Sequence, residues 1–353
     1  MLTKKRYSVK DMVLWTRGET LIYLLYAGII TVLYQVFGFT FLNVPWTPVA
    51  LIGTAVAFLV GFQNNSAYGR IWEARMIWGA IVNTSRTWGM KVQDMVTNEY
   101  CDASVSEDEI KQHKKVLVYR HIAWMTALRY AMRQRKSWET QHKAKTNREW
   151  RKMIHIPEEV STLEDNLMMY LLEEERQYVL SKSNKQTAIL YLQSKHIREL
   201  KDQGLIWKFA FLELENVLES LFTHQGKTER IKNFPYPRQY ASLGLYLTRV
   251  FAILLPFGLI PEFAEIGETM VDDFFLVGKY FIWIAIPFCA TVSWAFHTME
   301  RLARTGENPF EGGPNDVPIS TISRGIEIDL RQMLDEDPDE IPSQFPEDKN
   351  VQM

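Results

Sequence analysis

The stretch GFQNNSAYGRIWEARMIWG, residues 61–79, marks an abrupt border in the chain. Behind and into it, residues 20–69 contain no Asp, Glu, Lys, Arg or His. Downstream, Arg, Glu and Trp alternate at once. An apolar run of this length, ended this sharply, reads as membrane-spanning helix that passes into water. The border is polar but uncharged. Asn64 and Asn65 stand at the mouth of an apolar helix, and an amide offers both a donor and an acceptor without a charge of its own. Such a pair suits contact with a partly dehydrated ion of either sign.

Working outward, the charge-free region divides into two spans. The first covers about 20–42 and the second about 49–62 with its polar continuation. Pro45 and Pro48 break any single long helix between them, so NVPWTP (43–48) is a short turn. The first span follows a basic N-terminus, as a signal peptide would. It is too long for that and lacks a small-residue cleavage site. Two further spans are expected near 240–260 and 274–296. Lys and Arg flank the N-terminus, the segments after spans two and four, and the segment before span three. The loop PEFAEIGETMVDD between spans three and four has acids only. The asymmetry puts both termini and the long middle segment in the cytoplasm of a plasma or inner membrane. Trp46 then marks the outer interface, and Trp15 and Trp72 the inner one.

The expected division is 1–69 for the N-terminal helix and spans one and two, and 70–236 for a cytoplasmic helical domain. Spans three and four occupy 237–300, and a cytoplasmic C-terminal segment 301–335. An acidic, proline-punctuated tail, 336–353, is expected to be disordered. Apolar residues recur at helical spacing through the middle segment, and no alternating strand pattern or Gly-rich phosphate loop appears. The fold class is an all-α membrane protein.

The 353 residues carry 40 Lys and Arg against 42 Asp and Glu, a net charge of -2, which argues against a nucleic-acid partner. The basic run 111–152 is expected to be a solvated surface near the inner leaflet. Cys101 and Cys289 are too few for a disulfide framework or a cysteine metal site. The seven histidines form no HExxH or similar spacing, and no nucleophile–base pattern stands out, so no enzyme, cofactor or metal is expected. Arg249 and Lys279 fall within or near spans. Lys279 is close enough to the outer end to snorkel, whereas Arg249 needs an acid or a watery cavity.

Along the second span, Thr54, Phe58 and Phe62 recur every four residues and share one stripe, which Asn65 continues. Gly53, Ala55, Ala57 and Gly61 leave room for close helix packing. Ordinary packing would also place Phe at such spacing. What distinguishes this stripe is that it runs directly into amides and then charges, as a face that meets water along its length would.

At GFQNNSAYGRIWEARMIWGAIVNTSR (61–86) the sequence resembles the bestrophin family in its bacterial branch, which carries Gly-Phe-Arg-Asn-Asn, Ala-Tyr, Arg, Glu-Ala-Arg, Trp-Gly and Ser-Arg at this spacing. NFPYPRQY (233–240) is similar to the family's Pro-x-Pro-x-x-Tyr entry to the third span, and NPFEGGPNDVPI (308–319) to its Asn/Asp-Pro-Phe element. The resemblance covers about 10–335. It implies a homopentamer around one axial pore that passes small inorganic ions across the bilayer, anions and chiefly chloride in the eukaryotic relatives, cations in at least some bacterial ones. The neck positions fall on Thr54, Phe58 and Phe62, with Gln63, Asn64 and Asn65 at the mouth. The family also has a second constriction in its cytoplasmic vestibule, for which GLIWKFAF (204–211) offers Leu205, Ile206 and Phe209. Two departures stand out. The family's Arg is Gln63 here, which removes a positive ring and opens a cation-selective alternative. Where animal members build a calcium clasp, only Glu311 and Asp316 remain as carboxylates. A membrane-anchored helical scaffold that conducts nothing is the alternative from another class.

Overall fold

The computed structural model describes residues 1–99, 105–140 and 143–353; Cys101 is outside them. Among these residues helices account for the regular structure, and the β-structure is two isolated bridges, Leu2 to Val351 and Asp348 to Val351.

A short α1 (Val9–Trp15) leads into the first apolar helix, α2 (Arg17–Gln35). After a 3-10 turn, α3 runs unbroken over Trp46–Met95. Pro48 sits in its first turn, where a missing N–H is tolerated. At 1.5 Å per residue α3 is about 75 Å long, far beyond a hydrocarbon layer of about 30 Å. The expected border at 69/70 is therefore no boundary: the second span and the first helix of the charged body are one element. The body continues through α4 (Glu107–Arg133), α5 (Lys145–Arg151), α6 (Pro157–Val160), α7 (Leu163–Leu167), α8 (Glu173–Leu180), α9 (Lys185–Asp202) and α10 (Lys208–Asn233). Then come α11 (Arg238–Met270), α12 (Phe275–Tyr280), α13 (Ala285–Gly306) and α14 (Ile319–Met333).

Four helical stretches are long and apolar enough to cross a membrane: Arg17–Gln35, Thr40–Met95, Arg238–Met270 and Phe275–Gly306. The fourth is not a simple helix. A 3-10 turn, Phe281–Ile284, separates α12 from α13. Gly278 of α12 presses on α11, where a Cβ would sit 2.6 Å from the Gly267 carbonyl oxygen. In the membrane bundle α3 packs on α11 and α13, and α2 packs on α13. Val49, Val56, Val60, Phe251, Leu255 and Cys289 form its core.

The charged body is built around α4. Ser106 caps it by accepting from the Glu109 N–H, and acids at 107–109 suit its N-terminal dipole. Leu117 to Leu128 is buried on nearly every face, as befits a helix surrounded by α3, α9, α10 and α14. Trp78, Trp88 and Trp124 are fully buried there.

Two expectations are corrected. The basic run is only partly a solvated face. Arg120, Arg129 and Arg133 are buried, with Arg120 on Glu175 at 2.5 Å and Arg129 and Arg133 on Glu158 at 3.0 and 3.4 Å. Nor is the acidic tail disordered. Tyr119 Oη donates to Glu336 at 2.7 Å, and Phe345 lies under the Arg129 and Arg324 guanidiniums. Val351 and Met353 are buried against Ile154 and Ile156. A few apolar side chains in an acidic segment are enough to anchor it.

Candidate functional site

The helix-two stripe is the natural place to begin. Val56, Val60 and Ala67 turn into the bundle, and Gly53 lets α11 approach so closely that a Cβ there would meet the Phe251 ring at 2.7 Å. The opposite face has no partner within the subunit. Thr54 and Asn65 are exposed, and Phe58 and Phe62 are each 67% exposed. The Thr54 hydroxyl donates to the Ala50 carbonyl at 3.0 Å, so it is held along the helix. The four residues thus form one uncharged, mostly apolar ridge, about 16 Å long by helical rise.

The three amides do not act together. Consecutive helical residues are about 100° apart, so they point to different sides. Gln63 is buried between α3, α11 and the end of α13: its Nε2 donates to Glu307 Oε1 at 3.2 Å. The space for it comes from Gly244, whose Cβ would lie 2.6 Å from Gln63 Oε1. Asn64 donates to the carbonyls of Val60 at 2.9 Å and Met299 at 3.0 Å, which ties α3 to α13. Only Asn65 stays on the exposed ridge. Gln63 is thus engaged inside the subunit, and Asn64 is half-buried between α3 and α13.

Arg70 is a residue whose role the sequence did not disclose, although it lies inside the quoted motif. Its guanidinium donates to the carbonyls of Glu307 at 2.7 Å and of Ile231 and Phe234 at 2.9 Å each. It clamps α3 to the end of α10 and the segment after α13.

The cluster 204–211 also separates. Leu205 and Ile206 are each 1% exposed and belong to the body's core, whereas Phe209 is 64% exposed at the start of α10. A turn through Gly204 at φ +80° folds the first two inward. Phe209 stacks edge-on with Trp207 at 5.3 Å. Leu205 and Ile206 are therefore corrected to core residues.

Glu311 and Asp316 are buried and already occupied. The Thr140 N–H donates to both Glu311 oxygens at 3.2 Å, and the Gly312 and Gly313 N–H groups donate to Asp316 Oδ2 at 2.8 Å. Burial raises the Asp316 pKa above the ordinary carboxylate range, and the Gly313 hydrogen bond and Arg133 oppose that shift. Among the described residues no group of three or more His, Cys, Asp or Glu is placed to hold a metal.

A sequence profile described as Bacterial/Fungal Bestrophin protein matches residues 11–332. The chain belongs to this bestrophin family. The family is one of ion channels and not of enzymes, and it makes the protein a membrane protein, with the four long apolar helices as the candidates for its spans. Among similar curated proteins, the voltage-dependent anion channel-forming protein YneE of Escherichia coli K12 is 27% identical over 327 residues, 92% of this chain and 88% of YneE. The voltage-dependent anion channel-forming protein RSc3414 of Ralstonia nicotianae is 25% identical, over 83% of this chain and 79% of that protein. The crystal structure of a bacterial bestrophin homologue from Klebsiella pneumoniae superimposes with a TM-score of 0.68 at 22% identity, over 90% of this chain and 98% of that one. That likeness shows a common fold, and the all-α bestrophin architecture expected from the motif is the one found.

Proposed function

We propose that copies of this chain assemble around an axis, as a homopentamer, into a channel for small monovalent inorganic ions with chloride-like anions preferred. The observation that carries this reading is the ridge of Thr54, Phe58, Phe62 and Asn65. It is an exposed, uncharged face on a span whose opposite side, Gly53, Val56, Val60 and Ala67, is packed into the bundle. Facing an axis, it makes a narrow apolar neck that can gate by dewetting, with Asn65 re-solvating the ion past it. The printed names of the relatives, anion channel-forming proteins, support the choice of anions. One support for the cation alternative, beside the cation preference of some bacterial relatives, was a missing positive ring at position 63. Gln63 faces Glu307 inside the subunit, so its neutrality does not speak for the pore. The Lys and Arg asymmetry supports a cytoplasmic charged body and cytoplasmic termini.

The test is reconstitution of purified protein in planar bilayers under a potassium chloride gradient. The reversal potential is expected toward the chloride equilibrium potential. Replacing Phe58 and Phe62 with Ala is expected to raise single-channel current severalfold, and replacing them with Trp to lower it. Silent bilayers from protein that is correctly folded and oligomeric would favour the scaffold reading. Currents indifferent to all four substitutions would move the pore off this ridge. Native mass spectrometry gives the subunit number directly.

A further inference from the structure

Arg249 sits on α11, roughly 16 Å along the helix from Arg238. Among the described residues no hydrogen bond or ion pair engages it, and the buried carboxylate whose field it shares, Glu300, is already paired with Arg304. A cation within a membrane-crossing helix is costly unless an anion or water meets it. Arg249 lines a cavity of about 500 Å³ between α2, α11 and α13. The neighbouring cations are fixed in place. Arg301 is buried, donating to the Trp15 carbonyl at 2.9 Å and to Thr146 Oγ1 at 2.5 Å, and it lies over the Trp15 ring. Arg304 pairs with Glu300 at 3.4 Å. His297 is 6% exposed, and its Nδ1 faces Tyr23 Oη at 3.2 Å. Its Nε2 is buried without a hydrogen-bond partner, 3.8 Å from Glu19.

Glu19 is the one carboxylate in this lining, against the three arginines and Lys143. The lining is therefore cationic in excess, since Glu19 already faces Arg301 at 3.3 Å and His297 at 3.8 Å, and Arg301 is a preorganised guanidinium. Ile22 and Ile253 also belong to it, and both are more than half exposed on membrane-crossing helices. A cationic hollow with an apolar rim at the end of the spans matches one ligand chemistry, a phosphate ester attached to acyl chains.

We propose that this cavity binds the headgroup phosphate of an acidic phospholipid, with Arg249 as the free cation that meets it. The phosphate neutralises Arg249 and the acyl chains lie along Ile22 and Ile253. The ligand joins α2, α11 and α13 to α5, because Arg301 already reaches Thr146 of that helix. The proposal rests on the membrane placement of the spans and not on conduction, so silent bilayers would leave it standing.

The experiment is native mass spectrometry of the full-length oligomer in detergent, titrated with phosphatidylglycerol, with phosphatidylcholine of the same chains, and with inorganic phosphate. Wild type is expected to retain phosphatidylglycerol over phosphatidylcholine. Arg249→Gln is expected to weaken that retention about tenfold, as the loss of a charge-assisted contact implies, and Arg249→Lys to restore most of it. Ile253→Gln, at the exposed rim, keeps the charges and is expected to weaken only the lipid. Equal retention of the two lipids, or retention untouched by both Arg249→Gln and Ile253→Gln, overturns the proposal. Inorganic phosphate held in an Arg249-dependent way, with phosphatidylglycerol indifferent to Ile253→Gln, overturns the lipid source and leaves a site for soluble phosphate.

Discussion

Glu307 shows how one side chain can change the reading of another. It is fully buried, with Gln63 on one oxygen and Arg238 at 3.6 Å from the other. Burial raises its pKa, and the Gln63 hydrogen bond and the charges of Arg238 and Arg70 only partly oppose this. A carboxylate whose folded pKa is raised binds its proton more readily when folded. Its ionisation therefore costs stability as pH rises above the ordinary carboxylate value. Gln63→Arg would set a full charge beside it. The attraction is offset by the cost of burying a second ion in a space already narrowed at Gly244, so the expected outcome is a melting temperature in detergent no higher than that of the wild type and an unchanged reversal potential. A shifted reversal potential would put the side chain in the ion path after all. His121 gives the opposite sign. It is sandwiched by Trp88 and Trp124, neither ring nitrogen has a partner, and burial pushes its pKa down to about 3. The unfolded chain takes up this proton near pH 6.5 and the folded chain does not until about 3. Stability is therefore full above about 6.5 and falls as pH drops toward 3, by up to about 1.4 kcal/mol per pH unit. His121→Phe, which keeps the stacking, is expected to flatten that acid slope in melting curves taken from pH 7 down to 4.

At the scale of elements, α3 decides what the sequence could disclose. The four-residue recurrence of Thr54, Phe58 and Phe62 was legible because period alone puts them on one face, and charge-free length made the spans legible in the same way. The continuity of α3 was not. The charges that start at Arg70 look like an ending, yet a helix can leave a membrane without breaking, and nothing at 66–72 stops it. The amides separate within the subunit because adjacency in sequence is not adjacency on a helix. Leu205, Ile206 and Phe209 were inseparable because a turn, and not a period, sorts them. Packing of α3 was half legible: its small residues signalled close approach without saying to which helix. Gly53 meets Phe251, whereas a Cβ on Gly61 would touch nothing within 4 Å inside the subunit. Gly53→Val is expected to cost about 1–3 kcal/mol through overpacking and to lower the melting temperature. Gly61→Ala is expected to leave stability unchanged. Comparable melting of both variants would mean that α3 and α11 are less tightly engaged than this.

At the scale of the whole molecule, the exposed apolar surface argues for assembly. Trp72 and Met76 on α3 are 53% and 60% exposed, and at roughly 39–45 Å along that helix they lie past a hydrocarbon layer of about 30 Å. Phe209 and Leu212 on α10 are 64% and 50% exposed, also on the charged body. None of the four is covered by the subunit's own core, and large exposed apolar side chains on a charged body suit an interface between copies or a lined passage. Phe209 and Leu205 separate these roles, because they are close in sequence and opposite in environment. Leu205→Ala removes a core side chain, and its expected cost is about 2–5 kcal/mol with conduction per surviving channel unchanged. Phe209→Ala removes a side chain that the subunit's own core does not use. Its melting temperature is expected to match wild type, and if copies of Phe209 ring the axis beyond the membrane, its single-channel current or ion preference changes. Paired melting curves and bilayer recordings on the two variants test this. Phe209→Ala that loses stability or subunit number and leaves current intact would make Phe209 a contact between copies, and the passage through the charged body would then have its narrowest point elsewhere.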